Sequence, residues 1–172
     1  MITNQLPSRQ QYSVFPSFIT STQIQLIKQM LPPEEEWFPF KTEVVSRLQS
    51  RQLSLKKDSD VIKLINELLK NIGLQLSSNT IQPRIFRQGD FMDWHSDYDH
   101  LPINNDKLEY ECVLILHNTS DSVTKFRLDT DTEKYHSVEG DLLIVCRNGI
   151  IHKVESPKVG ERLTLKFTCI SI

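Results

Sequence analysis

Hydrophobic and polar positions divide the chain into two regions of different period. Between residues 12 and 75 the spacing is mostly helical. The apolar run YSVFPSFI (12–19) predicts a short strand. It leads to Ser21 and Thr22, either of which is placed to cap a helix carrying Ile24, Ile27 and Leu31. Pro32 and Pro33 end that helix, since proline has no amide hydrogen to donate to the preceding turn. LPPEEEWFPF (31–40) then reads as a loop. Its acidic triplet faces water, and Trp37, Phe38 and Phe40 are available to cover a cleft. A second helix is capped by Asp58 or Ser59. Its Val61, Leu64, Ile65, Leu68, Leu69 and Ile72 recur at the helical period and make one wide apolar stripe, and Gly73 stands where a left-handed cap belongs. Such a stripe must bury itself on a partner surface, and a sheet is the expected one.

From residue 80 the pattern changes. TIQPRIF (80–86), YECVLILHN (110–118), VTKFRL (123–128), YHSVEGDLLIVC (135–146), IIHKVES (150–156) and RLTLKFTCISI (162–172) are rich in β-branched and aromatic residues, punctuated by Gly, Asn, Asp and Pro. No helical pattern separates them, which argues against a parallel βαβ sheet. The expectation is an α+β chain, mainly β, with N-terminal helices packed on a sandwich or jelly roll that closes on itself.

Composition narrows the class. At 172 residues the chain suits one domain with a sizeable core; 38% hydrophobic content excludes a disordered chain, and a net charge of −2 gives no global pull toward nucleic acid. MITNQLPSRQQ lacks the apolar core of a signal peptide, and no apolar run is long enough for a membrane span. Cys112, Cys146 and Cys169 are odd in number, far apart and embedded in apolar runs, so they read as reduced core residues. The expected setting is cytoplasmic, without membrane association.

Candidate chemistry concentrates in DWHSDYDH (93–100). A polar loop would explain that run if it stood alone. In a strand, however, His95 and Asp97 point the same way. One histidine and one carboxylate are two thirds of the facial triad that suits non-haem Fe(II). The missing histidine belongs on a distant strand, and His152 stands out by context. It follows Ile150-Ile151, and Pro157 through Gly160 then read as a turn that folds the chain back as a hairpin, bringing Arg162 and Thr164 beside it. Arg162 and Thr164 share one face, and Leu163, Leu165 and Phe167 the other. A buried guanidinium needs a planar acidic partner, and the adjacent Glu161 points away, so a carboxylate ligand is one reading; an edge strand whose Arg162, Thr164 and Lys166 face water is the other.

The ordered set His95-Ser96-Asp97, then VEGDLLIV, then His152, then Arg162 resembles the Fe(II)/2-oxoglutarate-dependent oxygenases, and within them the prolyl-4-hydroxylase-like group. RIFRQGDFMDWHSD is similar to that group's strand, glycine turn and HxD strand. HKVESPKVGERLTLKF resembles its distal histidine, turn and R-x-S/T motif, and YSVFPSFITSTQIQLI its opening strand and helix. The resemblance spans roughly residues 12–170. It implies one domain over 1–172, with a helical support at about 12–75 and a double-stranded β-helix core at about 80–172. It implies His95, Asp97 and His152 as metal ligands, with Arg162 and Thr164 on the distal carboxylate of 2-oxoglutarate. Fe(II), 2-oxoglutarate, O2 and optionally ascorbate follow as cofactors. The implied activity is hydroxylation of a C–H bond in a peptidyl residue or a small metabolite, with release of succinate and CO2.

Departures from the pattern shape that expectation. Phe86 stands where many relatives carry a cosubstrate-holding Tyr, and the aliphatics of CVLIL (112–116) replace a second one. The cosubstrate is then left to Arg162 and Thr164. SDSVTKF replaces a Gly-Gly-x-Thr segment, so the substrate rim differs from that of collagen-type enzymes. Thr168 occupies the place of a second Arg found in the nucleic-acid demethylase branch, which argues against a nucleic-acid substrate. Asp99 is expected at the rim, Trp94 in packing, His100 in a loop, and His117 and His136 in structural or solvated positions. The loop 99–109, the aromatic segment 34–40, Arg84 and Arg87 are candidates for substrate contact. The alternative function is a non-catalytic metal-binding jelly roll serving as a sensor or binding module.

Overall fold

A computed structural model of the chain describes residues 5–42, 48–55, 58–97, 108–129, 131–147 and 149–172. The order is β1 (Tyr12–Phe15), α1 (Ser21–Met30), a 3-10 turn (Glu34–Glu36), β2 (Phe38–Thr42), β3 (Leu48–Gln52), α2 (Asp60–Lys70), β4 (Leu74–Phe86), β5 (Phe91–His95), β6 (Glu109–Asn118), β7 (Val123–Arg127), β8 (Thr132–His136), β9 (Leu142–Cys146), β10 (His152–Val154) and β11 (Arg162–Ser171).

Thr20, not Ser21 or Thr22, caps α1. Its hydroxyl accepts from the Gln23 amide at 3.2 Å while the Gln23 side chain accepts from the Thr20 amide at 2.8 Å. This reciprocal pair satisfies two amides at once, which a start one residue later would forfeit. Ser59 caps α2, and Gly73 closes the turn after it with φ 73°. Val61, Ile65 and Leu69 are fully buried, with Leu64, Leu68 and Ile72 packed partly buried around them, as the stripe requires.

All strand pairs are antiparallel, in the order β1-β9-β6-β11-β4-β3-β5-β10-β7-β8, with β2 on β3. The ribbon folds back on itself at β3, which pairs with β4 on one wall and β5 on the other. Its far ends are joined by side chains. The Tyr12 ring of β1 stacks on Phe126 of β7 with centroids 3.8 Å apart, and the Tyr12 hydroxyl donates to Glu133 of β8 at 2.7 Å. The result is a jelly roll, mainly β, with both helices on one wall.

Alternation along β9 separates two cores. Leu142, Ile144 and Cys146 join the cluster under the helices; Leu143 and Val145 join a smaller cluster with Tyr12, Val14, Phe126 and Tyr135. The three cysteines are buried and free. No helix among the described residues is long and apolar enough to cross a membrane.

Four expectations about strands and turns change as well. The strand expected over 12–19 stops at Phe15, and the loop expected over 31–40 ends as β2. The run 135–146 is two strands, β8 and β9, separated by a turn at 137–141. Most consequentially, β10 and β11 are not a hairpin. β10 pairs with β5 and β7, whereas β11 pairs with β4 and β6, so the turn carries the chain from one wall to the other. That turn is fixed on the 119–121 segment. The Thr119 amide donates to the Glu161 carbonyl at 3.0 Å, and the Lys158 amide to Asp121 at 2.8 Å. Gly160, at φ 66°, sits so close to the Thr119 carbonyl that a Cβ would lie 2.3 Å from its oxygen.

The helix-covered core sets stability. Ile65→Ala should cost about 2–5 kcal/mol, as buried Ile truncations do. Leu26→Ala, at a 46% exposed position, should change stability by under about 0.5 kcal/mol. Urea unfolding followed by circular dichroism measures both.

Candidate metal centre and active site

His95 ends β5 and His152 begins β10, and the two are register partners on neighbouring strands. Their rings therefore stand on one face of the wall, centroids 4.3 Å apart and planes tilted by 56°. Asp97 lies two residues past His95. Its Oδ1 is 3.6 Å from His95 Nε2, and its Oδ2 is 3.4 Å from His152 Nε2. One ligand atom from each residue can be chosen so that all lie within 4.8 Å of one another, and all three residues are buried. Between His95 and Asp97, Ser96 turns the other way and donates to the Gly149 carbonyl at 3.2 Å, tying the strand to the loop before His152. Gly149 has to be glycine: a Cβ there would meet the Arg9 carbonyl oxygen at 2.3 Å and that of Cys146 at 2.5 Å.

The donor set fits a metal on its own chemistry. Nδ1 of His95 lies 2.7 Å from the Asp93 carbonyl oxygen, and Nδ1 of His152 lies 3.1 Å from that of Ile150. Carbonyls only accept, so Nδ1 carries the proton in each neutral ring and Nε2 presents its lone pair toward Asp97. His95 Nε2 and Asp97 Oδ2 are buried without a hydrogen-bond partner. Burial pushes the His152 imidazole down to about 4, against the pull of Asp97, so it is neutral at pH 7 and competent as a ligand. Burial opposes ionisation of Asp97, yet the Lys166 ammonium holds its carboxyl well below the usual carboxylate range. Two imidazoles and one carboxylate on one side of an ion leave its other side open.

Arg162 faces the same cavity from the opposite wall. It is 2% exposed, its Nη1 donates to the Thr124 hydroxyl at 3.2 Å, and its Nε has no hydrogen-bond partner. Burial lowers the guanidinium to about 10, and no carboxylate of the described residues pairs with it. Glu161 is committed to Arg87 at 2.8 Å. A buried cation in this state is suited to an incoming anion. Thr164, two residues on, is equally buried and lines the cavity. Phe86, the β4 register partner of Arg162, lines it too but offers no hydroxyl.

Three polar lining residues were not assigned to the site from the sequence. Thr124 comes from β7. Lys166 Nζ lies 3.2 Å from Asp97 Oδ1 and 3.2 Å from Glu111 Oε1. Burial pushes the Glu111 carboxyl up to about 8, with Lys166 acting against it and Asp97 with it. The available signal was a charged residue near the start of the apolar YECVLIL, and the shared face of Arg162, Thr164 and Lys166.

Other residues sort differently from expectation. Arg84 is buried in the cavity and donates to Gln82 at 2.8 Å. Arg87 is not directed at the cavity: both Glu34 oxygens and Glu161 hold it, so Glu34 is not simply solvated. Trp37 is buried with its indole donating to the Pro32 carbonyl at 3.0 Å, while Phe38 is 66% exposed. Trp94 lies under Arg127 and Lys153, whose charges stand 4.7 Å and 5.1 Å from its ring centre. His117 pairs with Glu139 at 2.6 Å, and His136 is exposed at the end of β8. Asp99, His100 and most of the 99–109 loop lie outside the described residues.

No family model matches the chain, and none of the curated proteins compared with it does. Solved structures do. A Pseudomonas putida prolyl-4-hydroxylase superposes with a TM-score of 0.71 at 16% identity, covering 93% of this chain and 91% of that one. A prolyl hydroxylase from Trichoplax adhaerens, in complex with a hypoxia inducible factor peptide fragment, gives 0.71 at 11% identity over 93% and 83%. The epimerase SnoN, in complex with Fe3+, alpha ketoglutarate and nogalamycin RO, gives 0.67 at 11% over 95% and 79%. The chain thus has the fold of the 2-oxoglutarate–Fe(II) oxygenases, including prolyl-4-hydroxylases.

Glu111 makes the pH dependence of the metal-free protein testable. Its native pKa of about 8 stands above the unfolded value of 4.5. The native state therefore binds the extra proton, and stability present below 4.5 is lost as pH rises through 8. Thermal melts from pH 5 to 9 should show Glu111→Gln gaining on wild type across that window.

Proposed function

We propose that this protein is an Fe(II)- and 2-oxoglutarate-dependent dioxygenase that hydroxylates a C–H bond of a peptidyl residue, in the manner of prolyl hydroxylases, or of a small metabolite. One observation carries the reading: a buried His95–Asp97–His152 group faces, across one cavity, the buried Arg162, which has no carboxylate partner among the described residues. Iron with 2-oxoglutarate and O2 supplies, when bound, the oxidising power for hydroxylation, with succinate and CO2 released.

The remaining work falls to the chain. His95 and His152 offer Nε2 in the correct tautomer without reorganisation, because both Nδ1 atoms are already held by carbonyls. Asp97 contributes the negative charge that keeps a divalent ion in place. Arg162 grips the distal carboxylate of the cosubstrate with a charge-assisted pair, and the hydroxyls of Thr164 and Thr124 complete the grip that a tyrosine at position 86 would otherwise give. Val113, Leu143 and Val145 line the cavity and keep water from the reacting centre. The exposed Phe38 and Phe40 on β2 offer apolar anchorage to a peptide substrate.

Anaerobic titration with Fe(II) and then 2-oxoglutarate, followed by visible absorption, tests the reading. Wild type should develop the weak metal-to-ligand charge-transfer band of the chelate. His152→Ala should abolish it. Arg162→Ala should weaken cosubstrate affinity by about 100-fold, the worth of a lost charged hydrogen-bonding partner. Iron binding without a band, and no succinate on addition of O2, would favour a metal-binding module without turnover.

A further inference from the structure

We infer that Lys166 is a positioning residue for the metal centre: its ammonium takes one oxygen of Asp97, so that the carboxylate presents only the other to a bound divalent metal. This rests on the functional reading above. The two carboxylate oxygens are not equivalent. Oδ1 lies 3.2 Å from Lys166 Nζ, whereas Oδ2 is buried, has no hydrogen-bond partner and lies 3.4 Å from His152 Nε2. On the other side of the ammonium, Glu111 Oε1 stands at 3.2 Å, and Glu111 itself is 2% exposed. The lysine is therefore pinned between two carboxyl groups inside the cavity, on the same face of β11 as Arg162 and Thr164.

The consequence is one of coordination positions. A carboxylate with both oxygens at liberty can chelate a divalent ion with both. On a metal already held by two imidazoles, the second oxygen would take a position that a chelating 2-oxo acid requires. Occupying Oδ1 with an ammonium prevents that, and also makes Asp97 a weaker donor. Lys166 thus gives up metal affinity in favour of open positions, and Glu111 keeps it at that task.

Co(II) is the probe, read by its visible d–d absorption and by calorimetry, first without cosubstrate. Lys166→Met removes a positive charge beside the ion and frees Oδ1, so it should change the Co(II) spectrum and bind Co(II) about tenfold more tightly, while 2-oxoglutarate binding to the Co(II)-loaded protein weakens by about tenfold. Lys166→Arg should keep the wild-type spectrum. The double variant Lys166→Met/Glu111→Gln also removes the second acidic group that Lys166 faces, which limits the damage to the fold; it should share the altered spectrum. A folded single or double variant with wild-type spectrum and affinities overturns the inference, as does weaker Co(II) binding by Lys166→Met. A 2-oxoglutarate effect without any change in the cosubstrate-free spectrum would make Lys166 a direct cosubstrate contact, and the inference would fall. If wild type binds no Co(II), the metal-centre reading itself fails and takes this inference with it.

Discussion

Strand β11 is enclosed on all four sides, and its register is the constraint on which the site depends. β4 and β6 take its two edges over nearly its whole length. Leu163, Leu165, Phe167 and Cys169 turn to the core beneath the helices, while Arg162, Thr164 and Lys166 turn to the cavity. A slip of one residue would drive a guanidinium and an ammonium into hydrocarbon and put Leu165 among the metal-competent groups. Each side chain out of place would cost several kcal/mol. The register is thus enforced by the same residues that the proposed chemistry uses. The irregularity between Leu163 and Thr164 against β6 falls beside Arg162, where the strand enters the cavity.

The two walls divide the labour. One wall, through β5 and β10, supplies the two imidazoles and the carboxylate; the other, through β11, supplies the cations. Thr124 on β7 spans the gap by accepting from Arg162. An interior carrying Arg162, Lys166, Asp97 and Glu111 is expensive in a fold of this size. The cost is offset by the apolar cluster under α1 and α2, which lies on the far face of the same strands. Separation of the two cores by strand alternation lets one sheet carry both a stabilising face and a reactive one.

The sequence made the core of the candidate site legible because metal-competent residues follow local spacing rules. The i, i+2 spacing of His95 and Asp97 suggested one strand, and although β5 ends at His95 and Asp97 lies in the turn beyond it, the two still meet; the helical stripe of α2 sits at the period of a helix. Distant partnerships were harder. The turn at 157–160 announces a reversal but not which wall receives the returning strand, so β10 and β11 read as a hairpin although they lie on opposite walls. Antiparallel pairing of β3 was hidden because LQSRQ has almost no apolar alternation. The Arg87 contacts to Glu34 and Glu161 join residues far apart in the chain. Lys166 and Glu111 likewise meet only because β6 and β11 are neighbours, and the apolar context of Glu111 was the single local sign that it faces something polar.

Stacked sheets stand about 10 Å apart, and side chains reaching in from both narrow the free span between them. On the proposed reading, a cosubstrate must meet the metal-competent group on one wall and Arg162 on the other, so its length is measured by the thickness of the jelly roll. That argues for a short dicarboxylate over a monocarboxylate, because the far end would otherwise leave a buried guanidinium without an anion. It also explains why a phenylalanine is tolerable at position 86. The hydroxyl it lacks would add a hydrogen bond at the anchor, but the charge there is supplied by Arg162. The Thr124 contact shows that a hydroxyl from the opposite wall already reaches the guanidinium. The anchor is thus built across the two sheets instead of along one, and its integrity depends on the walls keeping their spacing.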